Sequence, residues 1–467
     1  MSDLQGVKSA NVRHCFAIRA TVIDTECPMG WAFKRIAVGP DDDSECKWQP
    51  PMQELGNSIL ERRPWRDFVT LPKQYALALT LVVALAIPGG LAAQKAPQSR
   101  HVTNYRVFTL PNTVGGTISG ANAINDLGWA MGFADSPGNT TSEAAAWIEG
   151  KMIKLGTVGG PNSSVPWESV KNNQGLIVGI SDTSIVQPRG EVFSCVAAGF
   201  IPSSGNTCLG FLWQPPGFIS ALPTLGGDNG FATGINNKGQ VIGWAETSYE
   251  DPTCVLPQVL QFLPYVYDVK TKKITALQVY PGDSDGTANA LNDKGQMAGI
   301  SGICSVAVGG ASAIHAVFWQ DQNSTPIDMG NLGGMAWNTP TSMNRKGEVV
   351  GFGNPSDDQN AGFNAMAFYW RQGTVMQNLG TLPQDSNSIA YAINKQGVIV
   401  GQSFGGPNGS HAFIYQDGIM TDLNSLMIGH NSLTLVYAND VDDSGVIVGG
   451  ATNAKTGVTS AFVAIPY

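Results

Sequence analysis

AINKQGVIVG, from Ala392 to Gly401, is one of seven versions of a single ten-residue phrase, and its reading decides the fold. The others are AINDLGWAMG from Ala123, VKNNQGLIVG from Val170, GINNKGQVIG from Gly234, ALNDKGQMAG from Ala290, SMNRKGEVVG from Ser342 and DVDDSGVIVG from Asp440. Each has a Gly at its sixth position (Gly128, Gly175, Gly239, Gly295, Gly347, Gly397, Gly445) and a second Gly four residues on. Three residues before the first Gly stands Asn in six copies and Asp442 in the seventh. An Asn or Asp side chain closes a turn onto its own backbone, and a Gly just past the turn centre takes the left-handed conformation of a bulged hairpin. With apolar residues on both sides, each phrase predicts two antiparallel strands.

Two more strand signals follow each hairpin. One is an aromatic-aliphatic run, such as AAAW at Ala144, HAVFW at His315, MAFYW at Met366, HAFIY at His411 and SAFVA at Ser460. The other is an apolar run that often ends in Leu-Gly, as in MIKLG at Met152 and VMQNLG at Val375. Successive hairpin glycines are 47, 64, 56, 52, 50 and 48 residues apart, near the roughly 40–50 residues of a four-stranded propeller blade. The last unit stops at Tyr467 after its third strand, while YRVFTL from Tyr105 stands ahead of the first hairpin without a unit of its own. The expectation is an all-β, seven-bladed β-propeller over residues 105–467. Strand 105–110 would complete the last blade, close the ring and remove its free edges.

Composition agrees with a turn-rich β protein. The chain has 467 residues, 43% hydrophobic and 13% charged, with 56 Gly. That apolar content excludes a highly charged disordered chain, and the low charge excludes a coiled coil. Fourteen of the glycines are the two fixed positions of the seven phrases, so the excess reports repeated tight turns.

Ahead of the ring, Tyr75 to Ile87 (YALALTLVVALAI) is uncharged, preceded by Arg62, Arg63, Arg66 and Lys73 and followed by Pro88-Gly89-Gly90. A basic flank, a short apolar run and a small-residue exit make an export signal, with a retained anchor as the alternative. Residues 1–74 thus read as a leader with a more plausible start at Met52, 75–93 as signal peptide or anchor, and 94–104 as a linker. Ten basic and ten acidic residues lie at or before Ala93, so the net charge of −9 belongs to the remainder, with 17 basic and 26 acidic residues. An acidic surface repels phosphate backbones, which excludes nucleic acid as the expected partner. A membrane partner is expected only if residues 75–93 are retained.

The paired phrases AINKQGVIVG with HAFIY and SMNRKGEVVG with MAFYW resemble the extracellular HAF-repeat family. The resemblance runs from Tyr105 to Tyr467 and implies export and a β-propeller-like fold. The family's His occurs only at His315 and His411, where it reads as a strand residue at a blade edge.

Chemistry-bearing motifs are sparse. GQSFG at Gly401–Gly405 matches the nucleophile elbow of hydrolases, but its setting is a hairpin strand and its Gly401 is the repeat's own. DVDDSG at Asp440–Gly445 resembles the start of a calcium loop yet overlays the repeat turn. GDSDG at Gly282–Gly286 places two carboxylates where one hard cation could meet both, a solvated turn being the simpler reading. No H-E-x-x-H, C-x-x-C or phosphate-binding loop occurs, so neither cofactor nor metal is expected.

Topology adds one sharper expectation. The links between second and third strands and the links between blades emerge on one face, and the former carry insertions at 181–209, 246–261 and 301–313. Cys195, Cys208, Cys254 and Cys304 all fall there. Four cysteines allow three pairings; the loop positions favour Cys195–Cys208 within one insertion and Cys254–Cys304 between adjacent blades. On the same face lie Trp167, Asp228, Asp283, Asp285, Trp337, Asp385 and His430, aromatics and carboxylates of the kind a sugar or peptide site uses. The expected function is an exported, monomeric, non-enzymatic binding or surface-interaction module for a glycan or a cell-surface protein. The alternatives are a secreted polysaccharide hydrolase or lyase with Asp228, Asp283 and Asp385 as acid and base, and a structural envelope protein.

Overall fold

A computed structural model describes residues 103–166, 172–191, 195, 201–307, 314–335, 337–355, 364–429 and 432–467. Residues 1–102, over which a leader, an export signal or anchor and most of a linker are expected, lie outside the described residues. Seven four-stranded antiparallel sheets form a seven-bladed propeller. Blades one to six span residues 119–154, 163–221, 226–276, 285–328, 339–378 and 387–422. Blade seven takes Leu433–Val441, Ile447–Asn453 and Thr459–Pro466 from the C-terminus and Tyr105–Thr109 from the other end of the ring. The closing strand pairs Tyr105 with Pro466 through Thr109 with Phe462, as the displaced fourth strand required.

Both glycines of the phrase have a physical cause. The first sits at positive φ in every copy, from +76° at Gly128 to +91° at Gly397, a conformation that costs other L-residues strain. The second answers a β-bulge in the middle of the inner strand, seen for instance between Ala121 and Ala123 and between Ala390 and Ala392. The bulge turns a carbonyl toward the neighbouring strand: a Cβ at Gly401 would lie 2.0 Å from the Ile389 oxygen, and one at Gly243 only 1.9 Å from that of Phe231. Every side chain is excluded there.

The core is distributed between blades. The seam of blades seven and one holds Leu110, Ala121, Trp147, Val448 and Ala461, that of six and seven Val400, Ile414, Leu435 and Phe462, and that of four and five Phe318, Met343 and Phe368. The aromatic of the HAF-like run supplies much of it, with Phe318, Phe368, Phe413 and Phe462 all buried. Each such side chain contributes about 1.5–3 kcal/mol through burial. No helix among the described residues is long and apolar enough to cross a membrane.

Candidate functional site

The two faces of the ring differ in construction. One carries the seven phrase turns. There Asn125 receives Leu127 and Trp129 amides on its Oδ1, and the same Asx turn recurs in the other blades. The side-chain amide is then free to reach the next blade. Asn125 donates to the Asn172 carbonyl, Asn172 to Asn236, Asn236 to Asn292, Asn292 to Asn344, Asn344 to Asn394 and Asn394 to Asp442, all at 2.8–3.1 Å. Asp442 keeps the turn, accepting from Ser444 and Val446 amides, but has no amide to pass on to Asn125. Beside this ring, Arg345 reaches Asp293 of the preceding blade at 3.5 Å and Asp126 of blade one at 3.8 Å. The recess these residues line measures about 50 Å³, far below the roughly 300–1,000 Å³ of a small-molecule pocket.

The opposite face carries the insertions, and both disulfides form as the loop positions implied. Cys195 and Cys208 have Cα atoms 5.6 Å apart, Cys254 and Cys304 4.6 Å. Part of each longer insertion extends the blade: the second strands of blades two and three run to Val186 and Glu250. The three insertions join into one platform. Glu191 of the first accepts the Val259 and Leu260 amides of the second at 2.8 and 2.6 Å. Thr253 of the second receives the Cys304 and Ser305 amides of the third at 3.0 and 3.1 Å. Among the described residues the platform exposes several apolar side chains: Ile185, Val186, Tyr249, Val255, Leu256 and Ile303, Val186 by 72% and Leu256 by 79%. Sequence reading placed the insertions but not this patch, whose residues are apolar letters like any others until their exposure is known.

The carboxylates singled out from the sequence are individually engaged. Asp228 forms an ion pair with Arg189. Asp283 meets His315 Nδ1 at 2.8 Å, and Tyr280 stacks on that imidazole with ring centres 4.5 Å apart. Asp285 is fully buried and joins blades, accepting the Phe262 amide of blade three at 2.9 Å and the Ser284 hydroxyl at 2.6 Å. Ser119, Ser163, Asn229 and Ser388 receive an amide from the preceding blade in the same way. Asp283 and Asp285 are thus committed to different partners. Burial pushes the Asp285 carboxyl up to about 7. Its neighbour Asp251 feels the same burial, but hydrogen bonds from Thr253, Asp285 and Ser284 outweigh it and hold that carboxyl below its ordinary value.

Asp385 lies on the link into blade six, beside Gly406, apart from Asp228 and Asp283 in blades three and four. Trp337 packs against the cluster of Phe352, Ile389, Tyr391 and Phe404, so its ring is folded onto the blade. Trp167 and His430 lie outside the described residues. Ser403 of GQSFG is buried, its Oγ accepting the Leu382 amide at 3.0 Å and lying 3.4 Å from the Asn387 carbonyl oxygen, the position of a structural hydroxyl. Cys254, Asp285 and Cys304 place ligand atoms within 4.8 Å of one another, but disulfide sulfurs offer no thiolate to a metal.

No family model and no curated protein matches the sequence. Among solved structures the similarities are distant. The β-propeller domain of the trilobed protease from Pyrococcus furiosus is 9% identical, with a TM-score of 0.45 over 78% of this chain and 97% of that one. The acylaminoacyl peptidase of Pyrococcus horikoshii is 10% identical, with a TM-score of 0.42 over 76% of this chain. This chain spans about half of that peptidase, 53% of its length. Oligogalacturonate lyase from Vibrio parahaemolyticus is 9% identical with a TM-score of 0.36, covering 78% of this chain and 96% of the lyase. At such identities the likeness says nothing of this chain's activity.

Proposed function

We propose that this chain is an exported propeller of the HAF-repeat kind that binds a protein partner through the insertion platform of blades two to four and does no chemistry on it. The observation that carries this reading is the exposed apolar patch on a platform fixed by two disulfides and by hydrogen bonds between insertions. Several large apolar side chains exposed on joined loops are a feature of interaction sites, and a rigid scaffold lowers the entropy lost on binding. The disulfides fit an extracellular or periplasmic setting. Against the polysaccharide hydrolase or lyase with Asp228, Asp283 and Asp385 as acid and base stands the engagement of Asp228 by Arg189 and of Asp283 by His315, with Asp385 apart on the link into blade six.

The test is to screen the purified chain on peptide and glycan arrays alongside a polysaccharide turnover assay. The expected result is binding to apolar peptides, reduced at least tenfold in Val255→Ser/Leu256→Ser, without turnover. Turnover, or peptide binding unchanged in that variant, would overturn the reading.

A further inference from the structure

The two disulfides of the insertion face sit in different surroundings. Cys195 and Cys208 are both buried, at 5% and 0% exposure. Cys254 is only half-buried, whereas its partner Cys304 is fully buried in an apolar cluster with Phe231, Trp244 and Phe262. A thiol arriving from solvent can therefore reach Cys254, and attack there makes Cys304 the leaving group. Apolar burial disfavours a thiolate, so Cys304 leaves readily only if a proton meets it. An acid stands beside it: a carboxylate oxygen of Asp285 lies within 4.8 Å of both the Cys254 and the Cys304 sulfur. Around Asp285 are the Phe262 amide, the Ser284 hydroxyl and Asp251, the last the charged group among them. Asp285 and Asp251 share a side-chain hydrogen bond, and a bond between two carboxyls needs a proton on one of them. Asp251 Oδ2 is buried and no other donor among the described residues meets it.

We propose that Cys254–Cys304 is a thiol–disulfide exchange site, with Asp285 as the proton source for its buried sulfur, while Cys195–Cys208 stays closed. The co-reactant is a dithiol. Its thiolate attacks Cys254 Sγ, the S–S bond breaks, and the electron pair goes to Cys304 Sγ, which takes the Asp285 proton; Asp285 is reprotonated from water. The second thiol of the reductant loses its proton to water and attacks the mixed disulfide, and Cys254 leaves as a thiolate that solvent protonates. The protein gains two electrons and two protons, and the reductant closes its own disulfide. The bond that opens is the covalent tie between the second and third insertions, leaving the Thr253 hydrogen bonds to the Cys304 and Ser305 amides to hold them. This inference is independent of what the platform binds.

The experiment exposes the folded full chain to dithiothreitol across a pH series, traps free thiols by alkylation, and assigns them by peptide mass spectrometry. Rates are divided by the thiolate fraction of the reductant. Expected is alkylation of Cys254 and Cys304 while Cys195 and Cys208 remain bonded, with a corrected rate that falls as pH rises through about 7, where Asp285 loses its proton. Asp285→Asn, which retains an acceptor for the Phe262 amide, should be slower by roughly tenfold below that pH and should lose the pH dependence. The unreduced Cys195–Cys208 bond in the same molecules reports that the fold stayed closed, so a merely structural effect of the variant would show as reduction of both bonds. The inference is overturned if the two disulfides open together in the parent, or if Asp285→Asn matches the parent in rate and pH profile.

Discussion

The turn face and the insertion face of this ring both hold neighbouring blades together, and they do so with different chemistry. On the turn face, one residue type at one repeat position does the same task in six blades: Asn closes its own turn with its oxygen and bonds the next blade with its nitrogen. On the insertion face the junctions use varied groups: a hydroxyl at Ser119, Ser163 and Ser388, an amide at Asn229 and a carboxylate at Asp285, with a disulfide and Glu191, reaching 68 residues along the chain, added between insertions. Repetition produces a sealed, polar mouth. Variation produces a surface with exposed apolar side chains, and that is where recognition is proposed.

The comparison breaks most directly at the turn face. Asn292→Ala removes the acceptor for the Lys294 and Gln296 amides and the donor to Asn344, and should cost about 3 kcal/mol of stability in chemical denaturation, the scale of losing several buried hydrogen bonds at once. On the other face, Cys254→Ser/Cys304→Ser should cost about 2 kcal/mol through the freed loop, and limited proteolysis should show new cleavage confined to residues 246–314 while the blades stay protected.

Asp285 gives the insertion face a pH dependence that the turn-face amides lack. Its carboxyl is raised by burial to about 7 from an ordinary 3.8, so between those values the folded chain holds a proton that the unfolded chain releases. Stability therefore falls as pH rises through this window and is greatest below it. Asp285→Asn retains an acceptor for Phe262, and should gain about 1–2 kcal/mol at pH 8 and flatten the Tm profile between pH 5 and 7. The opposite shift of Asp251 keeps the gain below that of an isolated group. An unchanged profile would show that the pair does not share a proton.

The smallest effect sharpens the turn face. Asp442 is the one copy without an amide to donate, so Asp442→Asn should complete the ring onto Asn125 and add about 1 kcal/mol. The conservative swap keeps the Asx turn, and a gain in Tm without change in the far-ultraviolet spectrum would isolate the added bond. No gain would mean that the seam between blades seven and one is already satisfied.

The sequence by itself determined the ring. Seven phrases with Asn-x-x-Gly at fixed spacing dictate seven hairpins, because turn chemistry is local, and the displaced YRVFTL dictates closure, because an unpaired strand needs an edge. The positions of the insertions, and with them the shared face of the four cysteines, were legible for the same reason: once strands alternate, chain order assigns loops to faces, whereas the choice among three pairings, favoured by loop position, was decided by the structure. The bulge behind the second Gly, the amide relay between blades and the burial of Asp285 were not legible, since each depends on packing against another strand, across the hairpin for the bulge, 23 residues away for Asp285 and 47 to 64 for the relay, that no local pattern encodes. Tertiary structure alone decided which carboxylates are spent on structure. Asp228, Asp283 and Asp285 look alike as letters, yet one meets an Arg, one a His and one a backbone amide. Glu191, with no motif around it, is left with a buried oxygen that has no hydrogen-bond partner among the described residues.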